Sequence, residues 1–171
     1  MPAVNRASML VRMDLTAIEA IRRTKHAYLR CVDLKRWDEL AGTLAEDATA
    51  DYGTPTYGDP IRLTGRTAIV DFLRKRLVPE IITVHLATQP EIDVDGDTAT
   101  GRWAFQDQVI ATEHNVAIVG AAFYEDRYRR EGDGAWRITH TGYVRTYEAM
   151  LSLADLKSFR LTANRWAVPS A

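Results

Sequence analysis

Histidine is the side chain whose ordinary pKa lets it take or give a proton near neutrality, and His85 stands where such chemistry could be used. It lies in the run Ile81-Ile82-Thr83-Val84-His85-Leu86-Ala87-Thr88, rich in β-branched residues. A second such run, Gly101-Arg102-Trp103-Ala104-Phe105-Gln106-Asp107, follows the turn-forming pair Asp95-Gly96. Two such runs around an Asp-Gly pair predict a β-hairpin. A three-residue loop, 94–96 or 95–97, puts His85 and Asp107 on the same face, nearly opposite each other. A two-residue turn slips the register by one and sends them to opposite faces, because side chains alternate with period two. Trp103, Phe105 and Asp107 share one face, so the acid stands in line with two large aromatics. A carboxylate there costs free energy unless it is paired or put to use. The expectation is a three-residue loop and a His85–Asp107 pair inside an aromatic-lined pocket. The plainer alternative for His85 is a core histidine satisfied by the backbone.

The elements that must position this hairpin are legible on either side of it. Thr16-Ala17-Ile18-Glu19 fits a capping box, opening a helix with Ile18, Ile21, Tyr28, Leu29 and Val32 at helical spacing. Asp33 follows, an ordinary N-cap position if a helix begins near Leu34, and a second helical run, 37–44, carries Trp37, Leu40 and Leu44. Residues 48–52 read as a short strand. Residues 53–65, with two prolines and three glycines, read as a mobile loop bordering a pocket. A third helix, 65–77, has Ile69, Phe72, Leu73 and Leu77 on one side and is stopped by Pro79. Four long strands then follow at 81–94, 98–112, 116–130 and 135–147, and Ser152-Leu153-Ala154-Asp155 opens a short terminal helix. Helices first and strands second predict an α+β fold, with helices packed on one face of a strongly curved antiparallel sheet whose open end forms a pocket. The expected organisation is a loose arm at 1–15, one domain at 16–147 and a helical tail at 148–171.

Composition sets outer bounds. The chain has 171 residues, 46% apolar and 26% charged, with a formal net charge of −1, which suits one ordinary globular domain. No block of like charge is long enough for nucleic acid or an anionic membrane: Arg22-Arg23, Arg74-Lys75-Arg76 and Arg129-Arg130 are short solvated faces. The single cysteine, Cys31, excludes an internal disulfide and suggests a reducing compartment. With no apolar run of signal-peptide or membrane-span length, the expected location is the cytoplasm. His26, His114 and His140 lack the partner spacing of metal ligands. No serine occupies a strained strand-to-helix turn, and glycine-rich phosphate loops are absent.

The order of Tyr28-x4-Asp33, Trp37, Asp47-Ala48, Asp51-Tyr52-Gly53, the Gly65 helix, His85, Asp95-Gly96-Asp97-x-Ala99 and Gly134-x-Trp136-x-Ile138 resembles the SnoaL-like branch of the NTF2-like superfamily over residues 16–147. The set Tyr28, Asp33, His85, Asp107 and Arg145 is similar in type and order to the catalytic set of bile-acid 7α-dehydratases, and partly to scytalone dehydratase and hexachlorocyclohexane dehydrochlorinase. The resemblance implies a cone-shaped sheet wrapped on helices, no cofactor and no metal, and homotrimers. It also implies roles. His85 would be the general base, with Asp33 accepting its ring N–H, fixing the tautomer and stabilising the imidazolium. Asp107, if burial raises its pKa, would be a proton donor. Tyr28 is a hydroxyl donor or plain packing; it lies about 140° round a helix from Asp33, off its strict face. Arg145 would orient a substrate oxygen or pair with a carboxylate at the rim. Tyr52, Tyr57 and Tyr143 are candidate pocket hydroxyls.

Two classes of function follow. The first is a cofactor-free lyase, a dehydratase acting by β-elimination on a hydrophobic oxygenated ring compound such as a steroid or polyketide. An isomerase or cyclase would use the same base. The second is non-catalytic: a ligand-binding protein, or a scaffold like the β subunits of ring-hydroxylating dioxygenases. Only the enzyme needs a histidine and carboxylates facing one cavity. Opposite His85, Ile82, Val84 and Leu86 form an apolar row that needs covering, so a homo-oligomer is expected, with a trimer favoured by the resemblance.

Overall fold

The chain begins with α1 (Leu15–Asp33) and α2 (Trp37–Gly42), then β1 (Leu44–Gly53), β2 (Ile61–Thr64) and α3 (Arg66–Arg76). Four long strands follow: β3 (Ile81–Asp95), β4 (Thr98–Ala111), β5 (Val116–Arg130) and β6 (Trp136–Ser152). This computed structural model describes residues 14–53, 58 and 61–166. The fold is the expected α+β arrangement, three helices packed on one six-stranded curved sheet of order β2-β1-β6-β5-β4-β3. The expected meander is β3 to β6. The first strand is then added parallel to the last, which returns the N-terminal half of the chain to the sheet.

Local chemistry explains most boundaries, with several departures from expectation. Asp14, not Thr16, caps α1: its carboxylate accepts the Ala17 backbone N–H at 2.9 Å, and Thr16 already lies within the first turn. Residues 53–65 are not one loop, because Ile61–Thr64 pairs antiparallel with β1 as an edge strand. The remaining residues of that stretch, 54–57, 59 and 60, lie outside the described residues, and Tyr57 with them. The expected terminal helix is only a 3-10 turn, Leu153–Asp155, because β6 runs on to Ser152.

The hairpin reaches its expected pairing by an unexpected route. Asp95 pairs with Thr98, so Gly96 and Asp97 form a two-residue turn, with Gly96 at φ 56°. Alone, that register would set His85 opposite Gln108. Gln89 and Pro90 correct it. They stand together opposite the single residue Trp103, between the pairs Thr88–Ala104 and Glu91–Arg102. The extra residue is a β-bulge, with Gln89 at φ 50° and a proline that has no N–H to offer the ladder. Below the bulge His85 pairs directly with Asp107. Two further irregularities, near Ala121 and Arg127 in the β5–β6 pairing, add to the bending. Bulges raise local twist and bend strands, so they help curl long strands round α1.

The core lies between α1, α3 and the inner face of the sheet, with Ile21, Leu40, Leu44, Ile69, Trp103 and Ile138 fully buried. Among them is a charged residue. Lys25, at helical spacing between Ile21 and Leu29, is completely buried and pairs with the equally buried Asp126 of β5 at 2.8 Å. Asp126 also accepts the Tyr128 hydroxyl at 2.7 Å, and Tyr128 in turn accepts the Trp103 indole N–H at 3.1 Å. Breaking such a pair from one side leaves a bare charge in the core, a loss of about 3–5 kcal/mol. Lys25→Met should therefore lower the free energy of unfolding in urea by about that much, whereas a change below roughly 1 kcal/mol would mean that water reaches Asp126.

Candidate active site

His85 is held by the end of α1. Asp33 is the last residue of that helix, and its carboxylate faces the first part of β3. It accepts three hydrogen bonds there: from the Thr83 hydroxyl at 2.8 Å, the His85 backbone N–H at 2.9 Å and the His85 ring at Nδ1, 2.5 Å away. The helix-capping alternative for Asp33 is not realised, because α2 starts at Trp37, four residues later. A carboxylate only accepts, so Nδ1 carries the proton of this contact, and in the neutral form of the ring the lone pair is on Nε2. The His85 ring lies parallel to Phe105, centroids 5.7 Å apart and planes within 8°.

The register then carries chemistry across the sheet. His85 pairs with Asp107, Asp107 with Gly120 and Gly120 with Glu148, one row over four strands on the inner face. Arg145 lies over Gly120 and grips Asp107 with both terminal nitrogens, at 2.5 and 2.8 Å. Its Nε is 3.4 Å from Glu148. Gly120 is needed for this: a Cβ there would run into the Arg145 guanidinium and come 2.9 Å from the Asp107 carboxylate. Burial acts to lower the Arg145 pKa, but the Asp107 hydrogen bonds and charge more than offset it and raise the value. The expected proton-donor role for Asp107 is not what its surroundings favour. Both its oxygens are occupied as acceptors by a guanidinium, an arrangement that suits an orienting anion rather than an acid.

A second row supplies hydroxyls. Trp103, Tyr124, Tyr143 and Tyr52 follow one another across β4, β5, β6 and β1. Tyr28 of α1 meets this row, its hydroxyl 2.7 Å from that of Tyr52, so one of the two donates to the other. Burial pushes both phenols up, Tyr28 well above the ordinary tyrosine value, and both stay protonated near neutrality. The two rows enclose a cavity of about 520 Å³. Tyr28, His85, Asp107 and Arg145 line it, and Asp33 stands behind His85; Lys75, Arg76 and His114 also border it. All five expected site residues are thus brought together. Ile61 lines the cavity too, the described end of the stretch expected to border it.

Several residues here escape a sequence reading. Glu148 reaches the inner face only because a bulge at Thr146 breaks the alternation after Arg145. Gly120 has no signal outside its neighbours. Lys25 had one, since it falls on the apolar stripe of α1 at four residues from both Ile21 and Leu29. Among the described residues, no three His, Cys, Asp or Glu side chains cluster in a way that could hold a metal ion. Among the described residues, no helix is long and apolar enough to cross a membrane. A second open cleft, bordered by Arg129 and Arg137, has those arginines paired with Asp47, Glu131 and Asp133, and reads as a solvated ion network.

This curved sheet wrapped on helices, with its pocket on the inner face, defines an NTF2-like protein. The chain belongs to the family of SnoaL-like domains, whose model matches residues 13–142. A protein of uncharacterised function from Mycobacterium tuberculosis (strain ATCC 25618 / H37Rv) is 28% identical over 153 residues, covering 88% of this chain and 100% of that protein. Among solved structures, hexachlorocyclohexane dehydrochlorinase LinA-type3 from Novosphingobium barchaimii LL02 superposes with a TM-score of 0.69 at 23% identity, over 81% of this chain and 92% of that one. A protein of Novosphingobium aromaticivorans, provisionally named a scytalone dehydratase, gives 0.69 at 23%, over 79% and 87%. These two likenesses establish the fold.

Asp33 offers a direct check of the geometry. An asparagine there presents an N–H₂ to groups that all need an acceptor. Asp33→Asn should therefore cost about 1–3 kcal/mol of stability and abolish the far-downfield ring N–H proton signal of His85. A near-neutral variant that keeps that signal would place the His85 ring elsewhere.

Proposed function

We propose that the protein is a cofactor-independent lyase, a dehydratase that removes water by β-elimination from a hydrophobic oxygenated ring compound such as a steroid or polyketide. The observation that carries this reading is the His85–Asp33 contact of 2.5 Å at the wall of an aromatic cavity. His85 Nε2 takes a proton from the carbon next to a carbonyl. Asp33 holds the Nδ1–H and stabilises the imidazolium that results. As the carbon–carbon double bond forms, the bond to the β-hydroxyl breaks, and Tyr28, backed by its hydrogen bond to Tyr52, protonates the departing oxygen. Asp107 holds Arg145, whose guanidinium orients a substrate oxygen. The apolar walls keep bulk water out.

Elimination of hydrogen chloride, the reaction that the name of the dehydrochlorinase neighbour describes, uses the same logic of a base facing a leaving group. An isomerase or cyclase would share the base and differ in where the proton returns. A pure scaffold has no use for a histidine and carboxylates in one cavity, which favours the enzyme. A lone buried cysteine, Cys31, fits a cytoplasmic setting.

The test is to incubate the protein with cyclic β-hydroxy ketones and follow the ultraviolet absorbance of the conjugated enone. The wild type should produce it, and His85→Ala should lose roughly 10²–10⁴-fold in kcat while keeping its fold by circular dichroism. Equal rates in the two proteins would end the reading.

We also propose a homo-oligomer, with a trimer favoured. Val84 and Leu86 are 48% and 54% exposed on the outer face of the sheet, and Phe123 and Val144 reach 58% and 77% on the same face. These are two apolar patches flanking Gln106 and Gln108 of β4, and exposed apolar surface of this kind suits a partner. Sedimentation at micromolar concentration should show an assembly, and Leu86→Asp should shift it toward the monomer. A monomeric wild type would refute it.

A further inference from the structure

Tyr124 stands apart from the other tyrosines around the cavity. It is 3% exposed, it lines the cavity from β5, and its hydroxyl makes no hydrogen bond among the described residues. The neighbouring phenols are committed: Tyr28 to Tyr52, and Tyr128 to Asp126. That hydroxyl is not among the sealed polar atoms that lack a partner, so it opens onto the cavity, where a ligand oxygen can accept from it. The ring is held firmly, with Phe105 at 4.7 Å between centroids and Tyr143 set edge-on at 5.3 Å. Behind it, on the side of α1, the Lys25 ammonium sits 3.2 Å from the ring centroid. That ammonium is fully buried and is held in place by Asp126 at 2.8 Å, with the Thr141 hydroxyl at 3.5 Å. A cation on a phenol face draws electron density from the ring, which strengthens its O–H as a donor. Burial meanwhile keeps the phenol protonated, since it pushes the Tyr124 pKa well up.

We propose that Tyr124 donates a hydrogen bond to the substrate, to the oxygen that gains negative charge as His85 removes the proton, and that Lys25, fixed by Asp126, is its positioning residue. This rests on the elimination chemistry given above for its substrate class, a ring ketone whose carbonyl becomes an enolate. His85 and Tyr124 both line the cavity and both pack on Phe105 behind them, at 5.7 and 4.7 Å between centroids, so one substrate in the cavity can meet the base and this donor together. Oriented donors aimed at developing charge in a dry site are the strongest class of catalytic interaction. The arrangement also accounts for a buried ion pair that the His85 chemistry leaves unused.

The test separates this donor from turnover by using binding alone. The probes are 4-nitrophenol, at a pH where it is ionised, as a mimic of the enolate, and nitrobenzene, which has the same ring but no such oxygen. Both are titrated by quenching of tryptophan fluorescence. The wild type should prefer the phenolate. Tyr124→Phe should weaken phenolate binding roughly 10–100-fold, the scale of a hydrogen bond to a charged group, and leave nitrobenzene within about twofold. Lys25→Met alone endangers folding, so the pair is replaced together as Lys25→Met with Asp126→Leu. That variant should lower the phenolate preference about 3–10-fold with the phenol still present. Equal loss for both probes in Tyr124→Phe, or an unchanged preference, would overturn the donor, as would failure of either probe to bind the wild type. A double variant with the full preference would overturn the role of Lys25. Loss of enone formation in His85→Ala beside an unchanged preference in Tyr124→Phe sinks the donor and spares the lyase. The reverse pattern sinks the lyase and spares the donor.

Discussion

Asp33 closes the C-terminal end of α1 onto the first part of β3, and the placing of His85 in the candidate site depends on that closure. Its carboxylate meets a backbone N–H, a hydroxyl and an imidazole, all from residues 83 and 85. Three donors converging on one carboxylate fix the helix against the strand in distance and in rotation. They also decide which nitrogen of His85 keeps a lone pair. The same contact is therefore tertiary glue and tautomer control for His85, while strand register aligns the residues across the sheet.

From that fixed end α1 works as a ruler laid along the inner face of the sheet. Its buried stripe of Ile21, Lys25, Tyr28, Leu29 and Val32 follows helical spacing and leads up to Asp33. One helix thus presents an ammonium to Tyr124, a phenol to Tyr52 and a carboxylate to His85, at successive levels of one cavity. The sheet answers with two rows set by strand register, one of charge and one of hydroxyls. A small residue at Gly120 lets the guanidinium of Arg145 lie flat between Asp107 and Glu148. The bulge opposite Trp103 and the one at Thr146 matter here because each re-aims the residues beyond it by one position.

The outer face of the same sheet has the opposite character. Val84, Leu86, Phe123 and Val144 stand exposed on it, with no helix of the described residues above them. Period-two alternation forces this division: if one face of long apolar strands encloses a cavity, the other must meet water or another molecule.

Period-two and period-3.6 patterns are local, so the sequence by itself determined the elements they govern: the helical stripe of α1, the four long strands and the face shared by Trp103, Phe105 and Asp107. The five candidate residues were legible through their types and order, because the chemistry of proton transfer admits few side chains. Tertiary structure alone decided the rest. The turn after Asp95 has two residues, and the expected His85–Asp107 pairing survives only because Gln89 and Pro90 add one residue upstream, a feature visible once the strands are paired. Asp107 is the ion-pair partner of Arg145, which lies 38 residues away in sequence and beside it in space. Lys25 falls on the apolar stripe of α1, but only Asp126, on a distant strand, makes its burial tolerable. Burial of charge depends on partners that the fold brings from far along the chain, and a local pattern carries no record of them.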